Sequence, residues 1–260
     1  MELAFKDLLP WLGAFWWPFC RTLALLSAAP MVGEATVPVT ARVLLSLPLA
    51  LVLMPISQAT AVMVSPFSVH GIVMTAEQAL IGFGIGMTLQ LAMSALSTLG
   101  FLLASQLGLA MAMLNDPVNG SSSDVVTALV NVLCMLAFFG MDGHLLFVAI
   151  LGKSFQAWPV GSGLSLLTLQ NVAYNVAWVF SAALLMALPV VVAALVVQMG
   201  MGFLNRAAPA LNLFSLGYAL VTLLGLFMLG QILSSIPTHY LRMTERLLDL
   251  LAQTMRASHG

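Results

Sequence analysis

Apolar residues in this chain run in long blocks that proline, glycine and short polar turns divide, with charge almost absent. No formal charge lies between Arg42 and Glu77, Glu77 and Asp116, Lys153 and Arg206, or Arg206 and Arg242. Each run has room for at least one apolar helix of about 20 residues. The pattern predicts a first helix from about Trp11 to Ala29, with Pro18 near its start and Pro30 as its stop. A second helix is expected from near Pro38, a residue suited to a first turn, to just before Pro55, kinked at Pro48. Apolar sequence then continues from Ile72 to Leu114. As one helix that run would measure about 65 Å, twice a hydrocarbon core, so it must break or leave the membrane.

Gly82, Gly84 and Gly86 are the candidate weak points, and Gly82 with Gly86 forms a Gly-x-x-x-Gly pair of the kind that lets membrane helices approach closely. Further on, Val125–Met141 and Leu145–Trp158 flank Asp142-Gly143-His144 and are short, which predicts a hairpin rather than two independent spans. Another apolar run extends from about Leu166 to Leu204 with Pro189 inside it. After a turn at Arg206–Pro209, Leu211–Ile236 is the last strongly apolar segment, closed by Pro237. The tail, about residues 238–260, changes character. Leu241, Leu247, Leu248, Leu251 and Met255 recur at helical spacing among Arg242, Glu245, Arg246, Asp249 and Arg256, the signature of an amphipathic helix at an aqueous boundary. The expected fold is therefore an all-α membrane protein of kinked and broken helical hairpins, read as one domain over residues 1–260.

One segment does not fit an apolar helix. Asn115-Asp116-Pro117-Val118-Asn119-Gly120-Ser121-Ser122-Ser123-Asp124 is rich in turn formers and has no apolar period. Lipid cannot satisfy its backbone polar groups. It must lie outside the bilayer, line a wet cavity, or be buried against other protein.

Composition removes the soluble classes. The chain is 61% hydrophobic and 7% charged, with a mean hydropathy of +1.06, against roughly 25% charged residues in a soluble domain. A net charge of −1 offers nothing to nucleic acid. Lys6, Arg42, Lys153, Arg206 and the tail arginines are too sparse to orient the chain firmly, although the tail favours a cytoplasmic C-terminus. Glu2, Lys6 and Asp7 mix signs, so the start reads poorly as a signal peptide. Cys20 and Cys134 sit in apolar runs and read as small hydrophobic filling.

Catalytic chemistry is not expected. His70, His144, His239 and His259 fall in separate loops or tails without metal-ligand spacing, and no cofactor or metal is implied. Asp142 with His144 is the one close acid–histidine pair, and it reads as a polar turn. Glu77 reads as an interface carboxylate near a helix start. Two non-enzymatic classes remain. A secondary transporter would show broken helices, which are present, and repeated halves, which are not. A scaffold or gate subunit, whose helices bury against partners as well as lipid, fits the irregular segment lengths better.

Along the first part of the chain stand Trp17-Pro18 with Arg21, Ala28-Ala29-Pro30, Val37-Pro38 before Arg42, and Gln78-x-x-Ile81-Gly82-x-x-x-Gly86. Gln106-Leu107-Gly108-Leu109 leading to Asp116-Pro117 follows, then Gly143-His144-Leu145 and Ser154-Phe155 with Pro159-x-Gly161. Ala187-Leu188-Pro189 and Gly202-x-Leu204-Asn205-Arg206-x-Ala208-Pro209-x-Leu211-Asn212 complete the series. In these residues, in their order and spacing, the chain resembles the FliR family, integral membrane export-gate components of the bacterial flagellar type III secretion system, and more distantly the corresponding injectisome subunits. The resemblance covers nearly the whole chain.

The resemblance implies a subunit of a helical, ring-like assembly in the bacterial inner membrane, at the flagellar basal body. FliP- and FliQ-type subunits would be its immediate partners, with FlhB- and FlhA-type export proteins and lipid around it and unfolded flagellar substrates passing through. It also implies a pore plug over about Gln106–Asp124, with Gln106, Gly108, Met111, Met113, Asn115, Asp116, Pro117 and Gly120 as its residues. Gly82, Gly86, Pro189 and Pro209 are the implied helix-packing positions. Family members often carry phenylalanine at the position of Met111, a small polar residue at Met113, glycine at Ala104 and a carboxylate near Phe101. A flexible methionine pair can seal around varied chains, or it can simply pack in a helix; both readings stand.

Overall fold

The computed structural model describes residues 2–33, 37–58, 66–109, 113–115, 122–161, 166–207 and 213–257. Its elements are α1 (Glu2–Ala28), α2 (Val39–Gln58), α3 (Val69–Gln106), β1 (Met113–Asn115), β2 (Ser122–Asp124), α4 (Val125–Gly140), α5 (Gly143–Ala157), α6 (Leu166–Ala207), α7 (Leu213–Leu233) and α8 (Ile236–Ala257). Among the described residues the regular structure is helical, as the apolar blocks require, apart from one short two-stranded ladder where a polar turn was expected.

Several boundaries differ from the sequence reading for identifiable reasons. The second helix does not stop before Pro55 but runs through both Pro48 and Pro55 to Gln58. Proline removes one helical hydrogen bond, and apolar helices tolerate that loss when their surroundings hold the geometry. The glycines of α3 do not break it either: it is continuous over 38 residues, about 57 Å. α4 and α5 meet at a bend of 66° around Asp142 instead of folding back as a tight hairpin. Asp142 adopts a left-handed φ of 56°, which ends one helix and starts the next without a side-chain cap. The last apolar helix ends at Leu233, and Pro237 lies in the first turn of α8, where its missing N–H costs nothing. On α8 the buried residues are Ile236, Tyr240, Met243, Thr244, Leu247 and Leu251, so Leu241 and Leu248 flank the buried stripe and do not form it.

Among the described residues, three helices are long and apolar enough to cross a membrane: Val39–Ser57, Val69–Gln106 and Ala177–Ala207. Counting each bent pair, α4 with α5 and α7 with α8, as one span gives up to five. The most apolar stretch of α3 is 61% buried within the chain, against 17% for that of α2 and 28% for that of α6. Thus α3 is a core helix, while α2 and α6 turn most of their apolar surface outward.

The chain forms two compact units. The first comprises Met1–Leu91, Phe138–Asn175 and Thr244–Gly260. In it α1 packs on α2, and α2 on α5. Trp17, Leu25, Leu53, Met74, Ile81, Leu151 and Phe155 are buried there. Small residues let α3 approach α1 closely. A Cβ at Gly82 would overlap the carbonyl oxygen of Arg21, and one at Gly86 would sit 2.5 Å from the carbonyl oxygen of Leu25, whereas Gly84 faces open space. Gly82→Ala is expected to cost about 1–3 kcal/mol, because a backbone oxygen cannot rotate away. Gly84→Ala should be neutral or stabilise by up to about 1 kcal/mol through helix propensity. Thermal unfolding of the two variants in detergent checks this, and equal midpoints would contradict the close approach.

The second unit comprises Ala92–Ala137 and Val176–Met243. Leu96, Leu99, Leu103 and Leu107 form its buried stripe on the α3 side, and Val179, Ala183, Ala187, Val190 and Ala194 form one on α6. Both repeat at three- and four-residue spacing, the period of one helix face. Pro189 lies inside α6 and is exposed.

Candidate functional site

Two polar constellations stand out, one in each unit. The one in the second unit begins where α3 ends. Gly108 has a φ of +70°, a conformation that glycine adopts without cost. The Leu109 N–H donates to the Ala104 carbonyl at 2.9 Å and the Gly108 N–H to the Ser105 carbonyl at 3.3 Å. This is the Schellman arrangement of a helix C-terminus with glycine at the left-handed position.

Helix α7 holds this terminus from the side. Tyr218 Oη donates to the Gly108 carbonyl at 3.2 Å, and Thr222 Oγ1 donates to the Leu107 carbonyl at 3.1 Å. Leu107 is fully buried, and a Cβ at Gly225 would overlap its Cδ2. Tyr218, Thr222 and Gly225 follow at four- and three-residue spacing, so one face of α7 grips two consecutive residues. Beside the grip lies a cavity of about 420 Å³, walled in part by Gln106, Gly108, Gln198, Met201, Asn205 and Tyr218. Its polar side chains are amides and hydroxyls, with no carboxylate, histidine, lysine or arginine among the lining residues.

Beyond α3, β1 and β2 pair antiparallel, with Met113 opposite Asp124, Leu114 opposite Ser123 and Asn115 opposite Ser122. The ladder feeds directly into α4, where Asp124 is the N-cap. Its Oδ1 accepts from the Thr127 N–H at 2.8 Å and its Oδ2 accepts from Thr127 Oγ1 at 2.6 Å. The carboxylate satisfies a helix N-terminus that would otherwise have unpaired N–H groups. α4 is tied back to α3 by Ser97 Oγ donating to Asn131 Oδ1 at 2.6 Å, and by Gly100, where a Cβ would sit 2.8 Å from Thr127 Cα. The ladder is therefore held where β2 enters α4.

Of the residues singled out from sequence, Gln106 and Gly108 lie at the cavity and the grip, and Met113 and Asn115 lie on β1. Met111, Asp116, Pro117, Gly120 and Pro209 lie outside the described residues. Tyr218, Thr222 and Gly225 went unremarked in the sequence. Their signal was available, since hydroxyls four apart in an otherwise apolar helix usually have a partner.

The first unit contains a buried cation that sequence reading passed over except as part of a motif. Arg21 is completely buried. Its Nε donates to Gln78 Oε1 at 2.9 Å, one terminal nitrogen donates to Ser154 Oγ at 3.1 Å, and the other donates to Gln78 Oε1 at 2.5 Å and to the Trp158 carbonyl at 2.8 Å. The guanidinium carbon lies 3.9 Å from the centre of the Phe155 ring, and the Glu77 carboxylate adds electrostatic stabilisation. Planar, weakly hydrated guanidinium suits such a fork, and stacking on an aromatic face adds to it. One arginine thereby joins α1, α3, α5 and the residue following α5. As the one charge between Asp7 and Glu34 in an apolar run, it carried the sequence signal of an intramembrane ionisable group.

Neither constellation supplies a nucleophile next to a base. Among the described residues, no group of three or more His, Cys, Asp or Glu side chains is placed to hold a metal ion. The geometry is that of helices braced by side-chain hydrogen bonds within each unit, with a short ladder running into a capped helix start.

Comparison with known proteins finds relatives over nearly the whole chain. A family model described as bacterial export proteins, family 1, matches residues 12–247. The chain is 32% identical to the flagellar biosynthetic protein FliR of Pectobacterium carotovorum, over 96% of this chain and 95% of that one. It is 30% identical to that of Escherichia coli strain K12, over 97% and 96% respectively. A more distant relative is the FliR protein of Aquifex aeolicus, at 26% identity over 89% of this chain and 88% of that one.

Proposed function

The chain belongs to the FliR family of bacterial export proteins, a membrane component of the flagellar type III export apparatus, and from that premise we propose that it is a structural and gating subunit whose segment 106–124 closes the export path at rest. It lines the conduit together with FliP- and FliQ-type subunits, with FlhB- and FlhA-type proteins nearby, in the bacterial inner membrane. Unfolded flagellar proteins are its cargo, and it performs no catalysis. The flagellar names of its relatives favour these substrates over those of an injectisome.

The capped ladder carries this reading. A short two-stranded ladder between apolar helices has no place in lipid; the Schellman terminus at Gly108 precedes it in the chain, and the Asp124 cap closes its α4 end. The outward apolar flanks of α2 and α6 support the rest of the proposal. Leu44, Leu51 and Val52 on α2, and Leu185, Val196 and Phe203 on α6, are exposed. At about 63 Å, α6 is too long for a hydrocarbon core of about 30 Å to cover, so neighbouring subunits are expected to cover the remainder. Pro189, on that exposed surface, is then a packing position towards a neighbour.

Two measurements test the reading. The tagged chain should co-purify with FliP- and FliQ-type subunits from a flagellated host. A photo-crosslinking residue at Asn115 should capture an export substrate stalled in transit, and one at the exposed Phe67 should not. Uptake of a small molecule by the isolated chain, with no substrate cross-link at Asn115, would instead indicate a carrier.

A further inference from the structure

We infer that α7 is the latch of the resting closure: Tyr218 and Thr222 hold the hairpin root shut, while Leu107 seated at Gly225 is the pivot that stays in place when they let go. This inference rests on segment 106–124 being the resting closure and adds what controls its position.

The chemistry of the three contacts divides them by function. Leu107 is fully buried against a notch that only glycine leaves open, a contact that cannot be loosened without repacking the interior. The other two are hydrogen bonds from neutral hydroxyls to the carbonyls of Leu107 and Gly108. They carry no charge, and so can break without exposing an unpaired ion. Tyr218 itself is half-exposed, at 56%, and borders the 420 Å³ cavity, so its ring has space to swing away. Gly108 supplies the remaining requirement. At φ +70° it sits in a region that glycine can enter and leave, and a Cβ there would meet Tyr218 Cε2 at 2.5 Å. Root and hinge therefore occupy consecutive residues with the latch on α7 beside them, and Asp124 caps the start of α4 at the far end of the segment.

The test replaces the native chain in a flagellated host with Tyr218→Phe/Thr222→Val, which keeps shape and removes both donors. Leak of a membrane-impermeant dye is then measured per assembled complex, beside a chain lacking residues 111–119. Loss of two neutral hydrogen bonds should raise the open fraction, and so the leak, roughly ten- to a hundredfold. Tyr218→Phe with Thr222→Ser, which restores one donor, should fall between the double variant and wild type. A scaffolding role alone would lower the amount of complex without changing leak per complex, and that result overturns the latch. Should the double variant fail to assemble, Tyr218→Phe and Thr222→Val are measured singly, and wild-type tightness in both overturns it equally. A leaky 111–119 deletion beside a tight, assembled double variant rejects the latch alone. A tight deletion rejects the closure itself.

Discussion

Deleting residues 111–119 is expected to leave the export complex assembled but leaking ions and small solutes at rest, the largest functional effect predicted for this chain. The deletion removes β1 entirely, so the backbone of Ser122–Asp124 loses its ladder partner. It leaves the Schellman terminus and the Asp124 cap in place, since Gly108 and Asp124 lie outside it. The helices on either side therefore keep their ends, and shortening a connection costs little because closure entropy varies slowly with loop length. Stability should change little while permeability changes by an order of magnitude or more. Dye entry and loss of cytoplasmic potassium, measured in a host with this chain as its sole copy, are the readouts. Normal complex yield with wild-type permeability would show that the segment does not close the path.

A gentler substitution separates the anchors from the segment between them. Asp124→Ala removes the cap of α4, at a cost of about 1 kcal/mol, without touching the ladder's register. Asp124→Asn keeps an acceptor for the Thr127 N–H and should recover most of the loss. Thermal unfolding of the detergent-solubilised protein reads the difference.

What was legible in the sequence, and what was not, follows from how far each feature reaches along the chain. Long apolar runs show their helices locally, and α3, α6 and α7 appear near their expected places, whereas α1 ends as expected but begins at Glu2 and not at about Trp11. The outcome at the prolines of α2 was not legible, because whether a helix survives a missing N–H depends on its surroundings and not on its own sequence. The ladder escaped because three residues per strand are too few for alternation to be recognised. Asp124 read as part of a polar island, although its position before the apolar block Val125–Gly140 already marked a helix N-cap. The grip of α7 joins residues more than 100 positions apart, which no local pattern can reveal.

Arg21→Leu is expected to be the most destabilising single change in the first unit. The arginine hydrogen-bonds with residues 57, 133 and 137 positions away, so its loss releases three segments at once. Gln78 Oε1, Ser154 Oγ and the Trp158 carbonyl would each lose a donor, and all three come from buried residues. Leucine offers nothing in return and leaves the face of Phe155 uncovered. Breaking one side of such a network typically costs about 3–5 kcal/mol, which for a chain of this size is a fall of roughly 10 °C in the unfolding midpoint.

Arg21→Lys should recover only part of the loss. A compact ammonium cannot reach Gln78, Ser154 and Trp158 from one position, and it stacks less well on an aromatic ring. The decisive comparison is the double variant Arg21→Leu/Gln78→Leu. If the cost comes from polar groups left unpaired in the interior, removing Gln78 as well should restore part of the stability, giving a coupling of about 1–3 kcal/mol. Strict additivity would mean that the arginine acts through shape alone. Because Gln78 is on the helix that carries Gly82 and Gly86 against α1, the same comparison reports whether the polar brace and the glycine contact act together. Combining Arg21→Leu with Gly82→Ala should then cost less than the sum of the two, since a seam already opened by the first change has little left for the second to disturb.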